Sequence, residues 1–493
     1  MNGIIELFPF MTILLLLIFG AFLTPLIKKK PIIVKMNIAI NIIAMIMNLV
    51  TLVYVYNYGT FIFKFGHYGS PFGIIFHIGP VEVAIAMMFS FVITMVSWYS
   101  FYSIEKEIEG KRVGFYYILN SLLLASLLGI VYTYDIFNGY VFLELSTLAA
   151  CGIIIVKDKK ENIKAAIKYL MLSTLGSGLV LMGIAFIYSI SGHLSMEYIH
   201  EAIVASSLAK ENLLLISIVL FSIGLGIKSA MFPMHVWLPD AHTTAPSPSS
   251  AILSGLVIKA PVVFLIKIYY VVYGFEFVNS SRILQLMLIF GGVGMIMGSL
   301  FARRQKYLKR LIAYSSVAQM GYIFFGIGLG NELGLIMAIY HILAHGLTKS
   351  SLFLSAGSFI EQTGFKKIED FKGIGKEMPV TLGIFTLSAL SLIGIPVLPG
   401  FISKWNLALA SIDSGMIYLL IVILLSSLLN AVYYFPIIIN GFFGEDNLDG
   451  KIFKSKSKPI KELIPVILLT VAMIAIGFMS GPVIEFIRSG IYM

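Results

Sequence analysis

Apolar runs long enough to cross a bilayer follow one another along almost the whole chain, and this constrains the fold more than any other feature. A helix of about 20 apolar residues spans the hydrocarbon core. Such runs fall near 3–27, 36–56, 80–103, 114–132, 134–156, 165–190, 211–233, 247–272, 284–300, 311–330, 334–360, 379–410, 416–440 and 463–486, fourteen in all. Only 12% of the 493 residues are charged and 58% are apolar. A soluble domain carries about 25% charged residues, so a water-soluble enzyme is excluded. The first run has Glu6 and no Lys or Arg before it, with Lys28, Lys29 and Lys30 after it. It is expected to remain as a helix with its N-terminus outside, not to act as a signal peptide. The lone Cys151 excludes intrachain disulfides, thiolate zinc sites and iron–sulfur clusters, and sits as a small residue in an apolar run.

The basic residues test this map and orient it. With the N-terminus outside and the runs alternating, the loops at 28–35, 104–113, 157–168, 234–246, 301–310, 361–378 and 441–462 lie inside and hold 26 Lys/Arg. The outside segments hold 4: Lys64, Lys210, Arg282 and Arg488. The remaining five of the 35 are Lys228, Lys259, Lys267, Lys349 and Lys404, within the runs. The net charge of +10 therefore reflects inside loops, and no run suggests nucleic acid. A multi-pass protein of the cell membrane with both termini outside is expected.

Two pattern matches suggest an internal repeat. Ser146-x-x-Ala149-x-x-Gly152 returns as Ser315-x-x-Ala318-x-x-Gly321, offset by 169, and Gly226-Ile227 with Trp237 returns as Gly394-Ile395 with Trp405, offset by 168. That offset covers five crossings, and an odd number inverts the second copy. Inverted repeats and broken helices mark transporters whose sites lie near the midplane. Breaks are expected in the seventh and twelfth runs: Pro233 and Pro239 follow the seventh, Pro246 and Pro248 open the eighth, and Pro396, Pro399 and Gly400 interrupt the twelfth.

Charges stand where lipid should be. Glu144 is central in the fifth run, Lys228 lies in the seventh, Lys259 in the eighth, Lys349 in the eleventh and Lys404 just past the break in the twelfth. At about 2.5–3.5 kcal/mol each, five such residues cost roughly 12–17 kcal/mol before pairing. Residues of this kind face the bundle interior, pair, or line ion paths. Four lysines to one glutamate leave three without a counter-charge. Burial disfavours the charged form of an unpaired amine in general, so its proton answers to nearby charges. His341, His345 and Lys349 are spaced i, i+4, i+8, which stacks them on one helix face as a relay.

Other features read as structural. Gly224, Gly226, Gly294, Gly298, Gly326, Gly328 and Gly330 suit close helix packing. Lys267 and Glu82 lie near run ends and are expected to snorkel. His193, Glu197, His200 and Glu201 suit an outer surface helix better than a metal site. No catalytic nucleophile–base set, haem motif or redox cofactor site is present, so neither cofactor nor metal is expected.

The segment Lys228-Ser229-Ala230, Pro233-Met234-His235-Val236-Trp237-Leu238-Pro239-Asp240-Ala241 and Ala245-Pro246-Ser247-Pro248-Ser249-Ser250-Ala251 resembles the hallmark of antiporter-like subunits. These occur in respiratory complex I, Mrp cation/proton antiporters (the D-type subunit) and archaeal membrane-bound hydrogenases and reductases. Tyr340-His341 through His345-Gly346 to Lys349 looks like the family's eleventh helix, and Gly394-Ile395-Pro396 through Pro399-Gly400-Phe401-Ile402-Ser403-Lys404 like its broken twelfth. The resemblance covers roughly residues 70–440. It implies an all-α membrane fold of fourteen helices: N-terminal helices in 1–113, a first five-helix repeat in 114–272, a second, inverted one in 284–440, and a last helix in 463–493. It implies that Glu144 and Lys228 pair on the inlet side, Lys259 is the central relay lysine, His341 and His345 continue the path, and Lys404 ends it. Pro80-Val81-Glu82 replaces an Asp-Gly often found at the start of the third helix, and the part played by Glu82 is left open. No long lateral helix is expected after the fourteenth run, which favours the shorter members. Expected partners are other membrane subunits, including a second antiporter-like subunit or small Mrp-like chains, and a hydrophilic redox arm. The expected cargo is protons or sodium ions. A hydrogenase or related reductase subunit and an Mrp D-type subunit fit best, with a stand-alone secondary antiporter as the competing class.

Overall fold

The computed structural model describes residues 2–68, 73–110, 112–205, 211–444 and 459–491. Ten helices run from the start through the first two thirds of the chain. They are α1 (Gly3–Leu26), α2 (Lys30–Tyr58), α3 (Pro80–Glu107), α4 (Arg112–Tyr132), α5 (Ile136–Ile155), α6 (Lys160–Ser191), α7a (Glu211–Lys228), α8 (Ser247–Tyr273), α9 (Ile283–Arg303) and α10 (Leu308–Gly328). The 32-residue α11 (Glu332–Thr363) follows, then two 15-residue halves, α12a (Pro379–Ile393) and α12b (Pro399–Asp413). Helices α13 (Leu419–Phe443) and α14 (Ile460–Phe478) close the fold. Among the described residues, twelve helices are long and apolar enough to cross a membrane, namely α1–α10, α13 and α14.

The other two expected crossings depart from that pattern for visible reasons. Helix α11 carries two histidines, a lysine and several serines, yet every residue from Gly334 to Phe359 is buried against other helices. It meets protein, not lipid, so it tolerates polar groups. The twelfth crossing is broken. Gly394 (φ 98°) ends α12a in a left-handed conformation that favours glycine, and Pro399 opens α12b where its missing N–H costs nothing. A Cβ at Gly400 would overlap the Ser391 carbonyl, so only glycine lets the two halves meet.

Polar side chains tie the helices together. Along α2, Asn37, Asn41 and Asn48 donate to Ser121, Ser97 and Ser90 at 2.8, 3.0 and 2.7 Å, joining α2 to α4 and α3. The connections gather at two ends. At one, a hairpin of β1 (Phe61–Lys64) and β2 (Ile75–Ile78) bridges through Phe76 to Thr133, Asp135 bridges to Ser195, and His200 reaches the Val272 carbonyl. At the other, Asp240 binds Lys168 and Arg310, Glu107 binds Lys157, and Tyr307 bridges to Lys367. The second end carries the loops counted above as basic. Of the counted basic residues, Lys111, Lys210, Lys451, Lys454, Lys456 and Lys458 lie outside the described residues.

Three expectations change. Glu82 and Lys267 do not snorkel: the hairpin covers them, and they form an ion pair at 3.2 Å with both side chains buried. Gly330 (φ 66°) turns the chain between α10 and α11 instead of packing helices. The two tryptophans of the second pattern match differ, Trp237 being buried and Trp405 exposed. The stretch with Glu197, His200 and Glu201 is a surface helix, Met196–Val204.

Candidate functional site: a row of enclosed lysines and histidines

The seventh crossing stops at Lys228. Ala230 (φ 55°) turns the backbone, and the segment 229–237 with Pro233 runs irregularly before a short helix, α7b (Leu238–Thr244), resumes behind Pro239. The Trp237 indole N–H donates to the Ile227 carbonyl at 2.9 Å and so caps the broken end. Lys228 is left pointing across the bundle. Its Nζ donates to Thr147 Oγ1 at 2.7 Å and Glu144 Oε1 at 3.1 Å, and Ser177 of α6 also donates to Glu144. Lys228 is enclosed, whereas the Glu144 side chain is 32% exposed on the flank of this chain. The pair expected from the sequence is present, but Glu144 is not a fully buried charge.

Lys259 lies at an irregular point of α8. A π turn, Leu253–Val257, precedes it, and Pro261 follows, whose missing N–H breaks the ladder. Lys259 Nζ donates to the Ser254 carbonyl inside its own loosened turn, and the residue is fully buried. Lys349 of α11 donates to the Ile312 carbonyl at 3.0 Å and to Ser315 Oγ of α10. One turn back, the His345 and His341 rings stack at 5.8 Å with 14° between planes. His341 Nδ1 meets Ser403 Oγ at 2.8 Å, next to Lys404. Lys404 Nζ donates to the Leu392 and Ile393 carbonyls at 2.6 and 3.1 Å and sits 4.6 Å from the Tyr322 ring centre. It thus neutralises the negative end of α12a, whose last carbonyls the break has freed. The turn before Lys259 lies directly against α11: a Cβ at Gly255 would meet Ser350 and the Gly346 carbonyl, and Ser350 donates to the Ala251 carbonyl at 3.3 Å.

No carboxylate bonds to Lys259, Lys349 or Lys404 among the described contacts. Their partners are carbonyls and hydroxyls. Both ring nitrogens of His345 and Nε2 of His341 are buried without a hydrogen-bond partner. The nearby hydroxyls of Ser229 and Thr348 donate to the carbonyls four residues back, of Leu225 and Ala344. Two residues join the row that the sequence alone did not single out. Gln319 of α10, one turn beyond Ser315, has both amide atoms buried and unpartnered. His242 of α7b, with both ring nitrogens unpartnered, stacks on Phe353 at 5.3 Å. The signal for Gln319 was its i+4 spacing from Ser315; His242 lay within the hallmark segment but was hidden among loop-like prolines.

At the basic end, a cavity of about 420 Å³ is bordered by Glu107, Lys157, Thr244, Ser247, Lys309 and Lys366. Glu107 accepts from the Ser247 N–H at 3.0 Å, and Lys309 donates to the Ala245 carbonyl at 2.6 Å. These contacts hold the elbow between α7b and α8.

Residues 133–430, which hold all of these groups except the covering hairpin and α3, match the family described as NADH:quinone oxidoreductase/Mrp antiporter, transmembrane. The chain belongs to this family. It is 36% identical over 391 residues to the N subunit of the NADH-quinone oxidoreductase of Desulforudis audaxviator, covering 76% of each chain. It is 29% identical over 434 residues to the D-type subunit of the Na(+)/H(+) antiporter of Alkalihalophilus pseudofirmus, covering 88% of this chain and 86% of the other. Its structure is similar to a chain of an archaeal respiratory membrane complex, the membrane-bound sulfane sulfur reductase, with a TM-score of 0.87, 26% identity, and coverage of 99% and 96%. Two of these relatives are subunits, one of an oxidoreductase and one of an antiporter, and the solved chain comes from a membrane complex.

Proposed function

We propose that this chain is the proton-translocating membrane subunit of a redox-driven pump related to the membrane-bound hydrogenases and reductases. Protons move through Glu144, Lys228, Lys259, His341, His345, Lys349 and Lys404. The observation that carries this reading is the enclosure of Lys259, His341, His345 and Lys349 in one helix bundle, where the lysines are bonded to carbonyls and a hydroxyl and to no carboxylate among the described residues. An amine in such a place holds or releases its proton according to the charge beside it. A pore of fixed ion pairs would not respond in that way. The chain is organised as two inverted five-helix units, 114–272 and 284–440, with the breaks at Pro233 and at Pro396, Pro399 and Gly400 marking half-channels toward opposite faces. Glu144 and Lys228 serve the inlet side, and Lys404 is the terminal group. The third of the Glu144 side chain left open on the flank suits a neighbouring subunit there. The complex lies in the cell membrane with both termini outside, beside another antiporter-like subunit or small Mrp-like chains and under a hydrophilic redox arm. The chain itself carries no redox cofactor.

The second reading is a D-type subunit of an Mrp sodium/proton antiporter, favoured by the match of 88% of this chain to a D-type antiporter chain. Co-purification separates the two: a redox arm accompanies the first, Mrp-like chains the second, and a stand-alone antiporter runs alone. The relay itself is tested with Lys259→Ala and Lys259→Arg in reconstituted complex. Alanine is expected to uncouple the two ends, and arginine to assemble yet slow turnover because it does not release its proton. Full translocation by both variants overturns the relay.

A further inference from the structure

A second titratable cluster lies at the hairpin end, outside the row just described. Lys267 sits eight residues beyond Lys259 on α8, about 12 Å further along the axis at 1.5 Å per residue. It is buried, and its Nζ donates to the Val131 and Thr133 carbonyls where α4 ends. Glu82 Oε1, in the first turn of α3, lies 3.2 Å from that Nζ, and Glu82 Oε2 accepts from the Gly79 N–H at 3.2 Å. The carboxylate therefore caps its own helix while facing the lysine. On its other side Oε1 faces His77 Nδ1 at 3.6 Å. His77 stands on β2, its side chain 17% exposed, and its ring stacks on Tyr134 at 5.2 Å. Among the described residues, the titratable and charged groups around Glu82 and His77 include Lys267 from α8, Tyr132 of α4, Tyr134 in the loop after it and, beyond Tyr134, Glu197 of the surface helix. Lys64 lies diagonally across the hairpin from His77.

We propose that Glu82, Lys267 and His77 form a proton port between the enclosed row and the outer face. This rests on the proton-translocating reading above. A structural staple needs only the ion pair. Here the buried carboxylate also faces an imidazole, a ring that can take a proton at one nitrogen and give one from the other, placed where the hairpin meets water. The step balances. Lys267 gives a proton to Glu82 Oε1, the neutral carboxyl passes it to His77 Nδ1, and the imidazolium releases its Nε2 proton to outer water. Lys267 is then recharged with the proton held by Lys259, relayed through bridging water across the intervening turns. The 3.6 Å gap is too long for a hydrogen bond, so the second transfer waits on a small ring shift or one bridging water. Lys259 needs no direct contact with Lys267. A proton arriving on Lys259 repels the ammonium two turns away in a medium of low dielectric constant and drives its release.

The test uses the intact complex in liposomes, with the pH of the two faces varied separately. His77→Asn keeps the half-buried site filled without a titrating ring. It is expected to lose the dependence of translocation on outer pH while retaining the dependence on inner pH. Glu82→Gln is expected to lower translocation at least tenfold at every pH. Should Glu82→Gln fail to assemble, His77→Asn decides alone. Wild-type dependence on outer pH in an assembled His77→Asn complex overturns the port and leaves a structural pair. That outcome is distinct from failure of the parent reading, in which Lys259→Ala itself leaves translocation intact.

Discussion

Lys404 does two jobs that substitution separates. The break after Ile393 leaves the last carbonyls of α12a inside the protein, and Lys404 Nζ takes those of Leu392 and Ile393 at 2.6 and 3.1 Å. Alanine there strips both. A buried acceptor left unsatisfied costs about 1–3 kcal/mol, which gives roughly 2–6 kcal/mol for two. Asn430 Nδ2 also reaches the Leu392 carbonyl at 3.3 Å, so that oxygen is not wholly abandoned. The loss therefore falls in the lower half, about 2–4 kcal/mol, with the contact to the Tyr322 ring adding up to about 2 kcal/mol. Arginine at 404 keeps a cation and its donors at the helix end but does not give up its proton. Thermal unfolding of the purified complex, followed by size-exclusion of the surviving fraction, is expected to show Lys404→Ala several degrees below wild type and Lys404→Arg between the two. Translocation in proteoliposomes is expected to fail in both. Wild-type stability in Lys404→Ala refutes the capping argument. Wild-type translocation in Lys404→Arg refutes proton release at this residue.

Glu144→Ala leaves Lys228 with Thr147 as its remaining bonded partner, and breaking an enclosed pair costs about 3–5 kcal/mol; the exposed flank of Glu144 places the loss at the lower bound, and vesicles that still translocate fully contradict the inlet pair. Gly400→Ala drives a Cβ into the Ser391 carbonyl and is expected to destabilise by about 1–3 kcal/mol or force α12b outward; an assembled variant with unchanged melting sinks the close-approach argument. A cysteine placed at Lys306, in a background where Cys151 is serine, is expected to react with impermeant reagent only from the inside; labelling from outside intact cells reverses the topology.

Much of the fold was legible before any coordinates. The apolar runs are local properties of the chain, imposed by the thickness of a membrane, so the number and order of the helices follow from one dimension. The breaks were legible for the same reason: Pro396, Pro399 and Gly400 act on the backbone whatever surrounds them. The i, i+4, i+8 spacing placed His341, His345 and Lys349 on one face because helical geometry does so without help. Partners across the bundle were not legible. Glu82 and Lys267 are 185 positions apart, and no period relates them; only the packing of α3 against the end of α8 under the hairpin turns two apparent snorkelling residues into a buried pair. Glu144 looked enclosed because its neighbours in sequence are apolar, yet which flank of α5 meets protein is decided by α6 and α7a, and the answer leaves a third of the side chain open. Gln319 and His242 gain meaning from what fails to touch them, which a sequence does not record. Composition and periodicity settle which segments are helices and which residues are out of place in lipid. The tertiary structure decides which of those residues find a counter-charge, because pairing depends on distances between helices that short-range forces along the chain do not set.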